Sequence, residues 1–276
     1  MRYLTLFSII SLIVFAALGQ APPVTVANTQ IHKLPSKVVG LTYKLYVKLP
    51  TDYDSKKPYD MIFTLDPEYS FAIESNITDH LVQRNDLPPV IIVGIGYEID
   101  NYRVNRTRDY TPTKSLVGGY DAETQKHTGG GENFFKFITT ELFPFIEAKV
   151  GKPKTRTLVG HSYGGLFASW IMFNKPGTFD RFIIVSPSLW FDEKRVIKGI
   201  EANSNELPSI VATAYITAGN LEDAVMANDV LDLKGILDKR KPPKIKYRAE
   251  VCDGENHNTI FPRAFSNGLR FTFGVR

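Results

Sequence analysis

A serine stands in a glycine-flanked segment that is typical of a nucleophile elbow. The segment runs Gly160-His-Ser-Tyr-Gly164 and matches the pattern G-x-S-x-G. It follows the apolar stretch Thr157-Leu-Val159 and precedes a helical pattern that begins near Gly165. In such an elbow the serine occupies a strained turn, and small neighbours let the strand and the helix approach each other. The pattern predicts that Ser162 is a nucleophile. An ordinary glycine-rich turn is the alternative.

A serine hydroxyl becomes nucleophilic when a neighbouring base removes its proton, and histidine is the usual base. In the α/β-hydrolase fold, where such elbows occur, the chain order is nucleophile, acid, histidine. Three of the five histidines precede the elbow and His161 lies inside it, so only His257 satisfies this order. It stands in the polar segment Asp253-Gly-Glu-Asn-His257, between the last predicted strand and the last predicted helix. We expect His257 to be the general base.

The acid that orients this base should lie on a loop after a strand, between the serine and the histidine. Thr217-Ala-Gly-Asn-Leu-Glu222-Asp223 follows a predicted strand and carries two adjacent acids. Adjacent side chains point in different directions, so one acid can orient His257 while the other caps the next helix. We predict that Glu222 is the orienting acid and keep Asp223 as the alternative.

A tetrahedral intermediate also needs hydrogen-bond donors for its oxyanion. The backbone N–H of Tyr163, directly after the nucleophile, is the expected first donor. The second should come from the loop after the strand Met61–Leu65, where Pro67 has no N–H. We therefore predict Glu68 as the second donor.

The elements that must position these residues alternate between strands and helices. Short apolar runs rich in β-branched residues indicate strands buried on both faces, whereas Leu41–Leu49 alternates like a half-exposed strand. The remaining predicted strands are Met61–Leu65, Val90–Ile95, Arg156–Gly160, Phe182–Val185, Ala212–Thr217 and Lys244–Val251. The predicted helices are Tyr69–Val82, Glu132–Val150, Leu166–Phe173, Leu221–Lys239 and Thr259–Phe273.

Between the predicted strands Val90–Ile95 and Arg156–Gly160 lie a polar segment and a helix that contains a proline. Residues 114–131 are rich in glycine, threonine and charge, and they are expected to form a surface loop beside the site. The helix Glu132–Val150 contains Pro144, which is expected to kink it rather than end it. The alternation along the whole chain predicts one α/β domain with a doubly wound, mainly parallel sheet.

Composition agrees with an ordinary globular protein and excludes several other classes. The 276 residues are 43% apolar and 22% charged, and the net charge of +4 is too small for a nucleic-acid binder. The single cysteine, Cys252, excludes an intramolecular disulfide and any multi-cysteine metal site, and it reads as a buried strand residue. The sequence contains no H-E-x-x-H, P-loop or complete G-x-G-x-x-G motif, so we expect neither a metal nor an organic cofactor. The oligomeric state stays open.

The first residues resemble an export signal. Arg2 precedes the mostly apolar stretch Leu4–Leu18, and Ala17-Leu-Gly19 supplies small residues for cleavage before Gln20. We expect residues 1–19 to be a signal peptide and residues 20–276 to be a secreted or periplasmic domain without stable membrane insertion. An uncleaved N-terminal anchor is the alternative.

Several separate patterns resemble the putative-esterase family of α/β hydrolases, and especially its siderophore trilactone esterase branch. The elbow Gly160–Ala168, the segment Arg108-Asp-Tyr-Thr-Pro112 and the helix Phe134–Ile146 are similar to that branch. Further matches, in the expected order, are Ser186-Pro-Ser-Leu-Trp190, Gly219-Asn-Leu-Glu222 and Glu255-Asn-His257. The family places its acid three residues after a strand-ending glycine, so the resemblance also implies Glu222. Some siderophore esterases of this branch work with a serine–histidine pair alone.

Two more residues are candidates for substrate binding. Arg108 could bind a carboxylate or catecholate, although it could equally form an internal ion pair with Asp109. Trp190 follows a strand on the catalytic edge and could form an aromatic wall of the pocket, with plain packing as the alternative.

We therefore predict a serine carboxylic-ester hydrolase that acts through an acyl-enzyme on a small-molecule ester. Siderophore trilactones, esters of polysaccharides and short-chain esters all fit the sequence. An acyltransferase with the same triad and a binding protein on a hydrolase scaffold are the alternatives.

Overall fold

In the part of the chain that the structure describes, the sheet has eight strands, and most of them are parallel. The computed structural model describes residues 24–98 and 102–274. The strands, in chain order, are β1 (Thr29–Pro35), β2 (Thr42–Lys48), β3 (Asp60–Leu65), β4 (Val90–Tyr97), β5 (Arg156–His161), β6 (Arg181–Val185), β7 (Ala212–Gly219) and β8 (Ile245–Cys252). Their order across the sheet is β1-β2-β4-β3-β5-β6-β7-β8. The pairs β1/β2 and β2/β4 are antiparallel, and all other neighbours are parallel. This confirms the predicted α/β class with a doubly wound, mainly parallel sheet.

Helices cover both faces of this sheet. They are α1 (Pro67–Gln83), α2 (Tyr102–Tyr110), α3 (Ala122–Gln125), α4 (Gly131–Phe137), α5 (Phe143–Val150), α6 (Tyr163–Asn174), α7 (Phe191–Ala202), α8 (Ala224–Arg240) and α9 (Ile260–Phe273). A short 3-10 helix, Leu207–Ser209, precedes β7. Every residue of β3 and β4 is buried, as their apolar runs predict for strands covered on both sides. The buried apolar residues form two clusters, one on each face of the sheet.

The helix predicted over Glu132–Val150 is interrupted. Helices α4 and α5 are joined by a π-helical turn at Ile138–Leu142, and Pro144 lies in the first turn of α5. The ring of a proline crowds the preceding turn of a helix, and a wider turn before it relieves that clash. As the sequence predicts, Pro144 does not end the helical segment, since the π-helical turn just before it connects α4 to α5. The kink at Pro144 stays a prediction.

Other differences from the sequence prediction concern short or polar segments. Strand β1 and helices α2 and α7 were not among the predicted elements, and α8 begins at Ala224 rather than at Leu221. Residues 114–131 are not wholly a surface loop. They contain α3, and the side chains of Thr124, Gln125 and Thr128 are buried.

The predicted signal peptide lies outside the described residues. Within residues 24–98 and 102–274, no helix combines the length and the apolar character that a membrane crossing requires.

Candidate active site

Ser162 lies in a strained turn at the carboxyl end of the central strand β5. Strand β5 ends at His161 and α6 begins at Tyr163, so the helix starts two residues before the predicted position near Gly165. Ser162 has φ 60° and ψ -119°, a conformation that L-residues rarely adopt. A Cβ atom at position 160 would lie 2.2 Å from the carbonyl oxygen of Gly164. Only glycine at position 160 therefore allows strand and helix to meet this closely.

The backbone of Ser162 is held by the neighbouring strand and the loop that follows it. Its N–H donates to the carbonyl of Val185 at 3.0 Å, and its carbonyl accepts from the N–H of Ser188 at 3.1 Å. The Oγ atom lies 3.4 Å from the Oγ of Ser188. Among the described residues, no hydrogen bond joins Ser162 Oγ to His257, although both side chains line the same cavity. Such bonds are often long in unliganded enzymes and tighten when substrate binds.

His257 and Glu222 form a short contact at the same edge of the sheet. The distance between His257 Nδ1 and Glu222 Oε2 is 2.6 Å. Glu222 Oε1 accepts hydrogen bonds from Ser186 Oγ at 2.6 Å and from the Gly219 N–H at 2.6 Å. The Glu222 side chain is 1% exposed and the His257 side chain 39%. The carboxylate is therefore fixed on both oxygens, while the imidazole reaches solvent.

The environment of Glu222 favours its charged form. Burial alone would raise the pKa of this carboxyl, but the hydrogen bonds it accepts from His257, Ser186 and the Gly219 backbone outweigh burial. The pKa of Glu222 consequently lies below its ordinary value. An ionised carboxylate at this position holds the proton of the imidazole on Nδ1 and leaves Nε2 as the basic nitrogen.

The neighbouring acid has a different role. Asp223 is the N-cap of α8, and its Oδ1 accepts a hydrogen bond from the Val225 N–H at 3.2 Å. Of the two acids that the sequence left open, Glu222 contacts His257 and Asp223 caps the helix.

The two predicted oxyanion donors lie at the beginning of helices. Tyr163 is the first residue of α6, where backbone N–H groups have no acceptor within the helix. Glu68 lies in the first turn of α1, and its carboxylate accepts from the Tyr97 N–H at 2.8 Å. In the same loop, the Asp66 N–H donates to Tyr110 Oη at 3.2 Å. The Asp66 N–H is thus already engaged, and the role of the Glu68 N–H stays a prediction.

A buried ion pair that the sequence does not predict connects this loop to the elbow. Arg106 contacts Asp66 through two hydrogen bonds, Nε to Oδ1 at 2.7 Å and Nη2 to Oδ2 at 2.9 Å. Its Nη2 also donates to the His161 carbonyl at 3.1 Å. Arg106 therefore links the loop after β3 to the elbow. Arg106 can be recognised only from its pairing with Asp66, which is distant in the chain, and no local sequence motif indicates that pairing.

Arg108 forms the internal ion pair that the sequence left open. Its Nε lies 2.7 Å from Asp109 Oδ1, and Asp109 also accepts hydrogen bonds from the hydroxyls of Tyr43 and Tyr97. Arg108 does not line the cavity that contains Ser162. A role in substrate binding stays a prediction for this residue.

The cavity above Ser162 has a volume of about 510 Å³ and mostly apolar walls. Trp190 lies on one wall, where its ring centroid is 6.1 Å from that of Tyr163 and its Nε1 donates to Met226 Sδ at 3.1 Å. The cavity is lined by Gly119, Tyr120, Ser162, Tyr163, Ser188, Trp190, Asp223, Val225, Met226 and His257. Trp190 therefore both packs against a neighbouring ring and forms part of the cavity wall.

A second cavity of about 650 Å³ is larger, but the predicted catalytic residues do not line it. It is lined by Lys48, Tyr59, Thr78, Asp79 and their neighbours, and none of the sequence-predicted site residues reaches it. Among the described residues, no group of three or more histidine, cysteine or acidic side chains is arranged to hold a metal ion.

Comparison with known proteins places this chain among esterases. The sequence profile of a family described as putative esterase matches residues 36–270. The chain is 30% identical over 271 residues to the ferri-bacillibactin esterase BesA of Bacillus subtilis, and the match covers 92% of each chain. The crystal structure of the BES protein from Bacillus cereus is similar with a TM-score of 0.81 at 32% identity, covering 92% of this chain and 97% of that chain. An IroE-like serine hydrolase from Shewanella oneidensis matches with a TM-score of 0.79 at 27% identity, over 89% of this chain and 80% of that chain.

Proposed function

We propose that this chain, which belongs to the putative esterase family and is a hydrolase acting on ester bonds, works through an acyl-enzyme with Ser162 as its nucleophile. The observation that carries the proposal is the 2.6 Å contact between His257 and Glu222 beside the cavity that Ser162 lines. A histidine bonded to a carboxylate at Nδ1 can take a proton on Nε2. The same cavity gives an ester access to the nucleophile.

In the first step Ser162 Oγ forms a bond to the ester carbonyl carbon, and its proton passes to His257 Nε2. The carbonyl oxygen becomes an oxyanion. In our proposal, the N–H of Tyr163 donates to it and the N–H of Glu68 is the second donor. The intermediate then loses the alcohol, which takes the proton from His257, and an acyl-serine remains. Glu222 stabilises the imidazolium that exists between these two transfers.

The second step repeats the first with water as the nucleophile. A water molecule gives a proton to His257 Nε2 and forms a bond to the acyl carbon. Collapse of the second oxyanion intermediate breaks the bond to Ser162 Oγ, which regains the proton from His257. The products are a carboxylic acid and the free enzyme.

We further propose that the substrate is a small-molecule ester of the siderophore class. The support is the relative named a ferri-bacillibactin esterase, which this chain matches over 92% of its length. The apolar walls formed by Trp190, Tyr163 and Met226 suit an aromatic or acyl group, since aromatic faces pack well in such cavities.

A hydrolysis screen tests both proposals. Purified residues 20–276 are assayed on a siderophore trilactone, an acetylated or feruloylated polysaccharide and a short-chain ester, with Ser162→Ala as the blank. We expect the trilactone to have the highest kcat/KM and the variant to be inactive on all three. Hydrolysis by Ser162→Ala above background would refute the nucleophile, whereas a preference for the polysaccharide would refute only the substrate.

We also propose that the enzyme works outside the cytoplasm, after cleavage before Gln20. Mass spectrometry of the protein recovered from its native host tests this. A mature chain beginning at Gln20 is expected, and an intact chain beginning at Met1 would contradict it.

A further inference from the structure

A second histidine lies against the proposed base, and the mechanism above gives it no role. His161, the last residue of β5, is 8% exposed. The ring centroids of His161 and His257 are 4.4 Å apart, and the ring planes are inclined by 36°. We propose that His161 is a positioning residue that holds the His257 imidazole in the orientation needed for proton transfer. This inference rests on the proposed function, because His161 acts only through His257.

The bond to Glu222 alone does not fix the imidazole. A single hydrogen bond at Nδ1 holds one atom of the ring and leaves the ring free to tilt about that bond. His257 lies on the loop between β8 and α9, and 39% of its side chain is exposed, so solvent does not restrict the tilt. A ring packed on the imidazole face opposes this motion. Contact at the edge and contact at the face together define one orientation.

The ring of His161 is itself well held, as a positioning residue requires. Its Nδ1 lies 2.9 Å from the hydroxyl of Tyr69 on α1. The ring of Phe261, in the first turn of α9, meets it edge to face with centroids 6.0 Å apart. Its backbone carbonyl accepts the hydrogen bond from Arg106 on α2. Three helices therefore fix the surface on which His257 packs.

His161 is also neutral, which suits a residue packed against the base. Burial first, and then the nearby His257 and Arg106, lower the pKa of His161 well below its ordinary value, so the ring is neutral. The face of a neutral aromatic ring can pack against the imidazolium that His257 becomes during the reaction. A second cation at this distance would oppose its formation.

Two substitutions of similar volume show whether position 161 needs a flat ring or only a side chain that fills the space. His161→Phe keeps a flat aromatic ring, whereas His161→Leu keeps an apolar side chain without one. On para-nitrophenyl acetate, we expect His161→Leu to lower kcat about tenfold or more, because a misplaced base slows proton transfer. We expect KM to stay within about twofold, since substrate contacts are unchanged, and His161→Phe to keep kcat within about threefold of wild type. His80→Leu, on the exposed last turn of α1, is the matched control and should change neither constant.

Tyr69→Phe provides a second test, which does not depend on the folding of the leucine variant. It removes only the hydroxyl that orients the His161 ring, and we expect kcat to fall about threefold. In the His161→Phe background there is no Nδ1 to orient, so Tyr69→Phe should have no further effect. Equal losses in both backgrounds would overturn the inference. Equal kcat for His161→Leu and His161→Phe, or a loss confined to KM, would also overturn it.

A fluorophosphonate probe keeps this inference separate from the proposed function. If wild-type Ser162 is modified while the His161 variants turn over like wild type, only the positioning role is wrong. If wild-type Ser162 resists the probe and the enzyme still hydrolyses the ester, the proposed function itself is wrong.

Discussion

The predicted base and acid, His257 and Glu222, are 2.6 Å apart. The pair could be predicted because few residues of the chain can take these roles. Chain order left one histidine after the elbow, so His257 followed by elimination. The same logic could not separate Glu222 from the adjacent Asp223, and only the family spacing, with the acid three residues after a strand-ending glycine, favoured Glu222. Only the fold shows that Ser186 and Gly219 hold the first carboxylate.

Removal of the charge on Glu222 should slow ester hydrolysis. Glu222→Gln keeps the side-chain shape but no longer stabilises the imidazolium on His257. We expect kcat for ester hydrolysis to fall about 100-fold or more with KM little changed. Steady-state kinetics on a chromogenic ester measure this, and Glu201→Gln on the exposed face of α7 is the control. A variant with near wild-type kcat would show that the enzyme works with the Ser162–His257 pair alone.

Residues that act through partners far away in the chain could not be predicted from the sequence. Arg106 pairs with Asp66 from 40 positions away. His161 was identified as part of the elbow, but its contact with His257 joins the end of β5 to the loop after β8, and β6 and β7 lie between these two strands. No pattern within a short window contains such information.

Among the strands and helices, the buried strands were predictable from the sequence, whereas the edge strand and the polar helix were not. Strands β3 and β4 are continuous apolar runs, and both were expected nearly to their ends. Strand β1 is at the sheet edge and mostly exposed, and α2 is rich in polar residues, so neither has a clear apolar period. The π-helical turn before Pro144 depends on how the chain avoids a steric clash, which hydrophobic spacing does not report.

An alanine at position 160 should disrupt the nucleophile elbow. In Gly160→Ala the new Cβ would approach the Gly164 carbonyl oxygen to 2.2 Å, so β5 and α6 must separate. We expect the free energy of unfolding to fall by about 1–3 kcal/mol and ester hydrolysis to be lost, because Ser162 is displaced. Urea unfolding and kinetics measure the two effects.

The matched control is Gly235→Ala in the interior of α8. Apart from the adjoining backbone of its own helix, no heavy atom lies within 4 Å of the added Cβ there, and alanine favours a helix over glycine. We expect this variant to be more stable than wild type by about 0.5–1 kcal/mol and fully active. Equal behaviour of the two variants would contradict the close approach at the elbow.

For the whole molecule, the carboxyl edge of the parallel strands brings the site together. Ser162 follows β5, Ser188 follows β6, Glu222 follows β7 and His257 follows β8. Ligands of open parallel sheets bind at this edge, so the α/β class predicted from the sequence already fixed which end of the strands carries the site. The shape of the cavity depends on residues 114–131 and on the turn before α7, and loop shapes of this kind are not readable from one sequence.

A buried acid far from the reaction predicts how stability depends on pH. Glu74 on α1 is 0% exposed and accepts a hydrogen bond from Thr64 Oγ1, and burial raises its pKa from 4.5 to about 8. The folded chain therefore keeps a proton that the unfolded chain releases between these values. The free energy of unfolding should fall as pH rises through that window.

Glu74→Gln removes this titration while keeping the side-chain size. We expect its free energy of unfolding, measured by urea titration at several pH values, to vary less across the window than that of wild type. Glu201→Gln should follow the wild-type curve. Parallel curves for Glu74→Gln and wild type would show that Glu74 is ionised in the folded protein.

The most direct test of the central claim is to trap the covalent intermediate. The protein is mixed with an ester that deacylates slowly, quenched in acid and analysed by intact mass and peptide mapping. The mechanism predicts one acyl group per chain, attached to Ser162 and absent from Ser162→Ala. Ester hydrolysis that continues with no acyl group on Ser162 would contradict it.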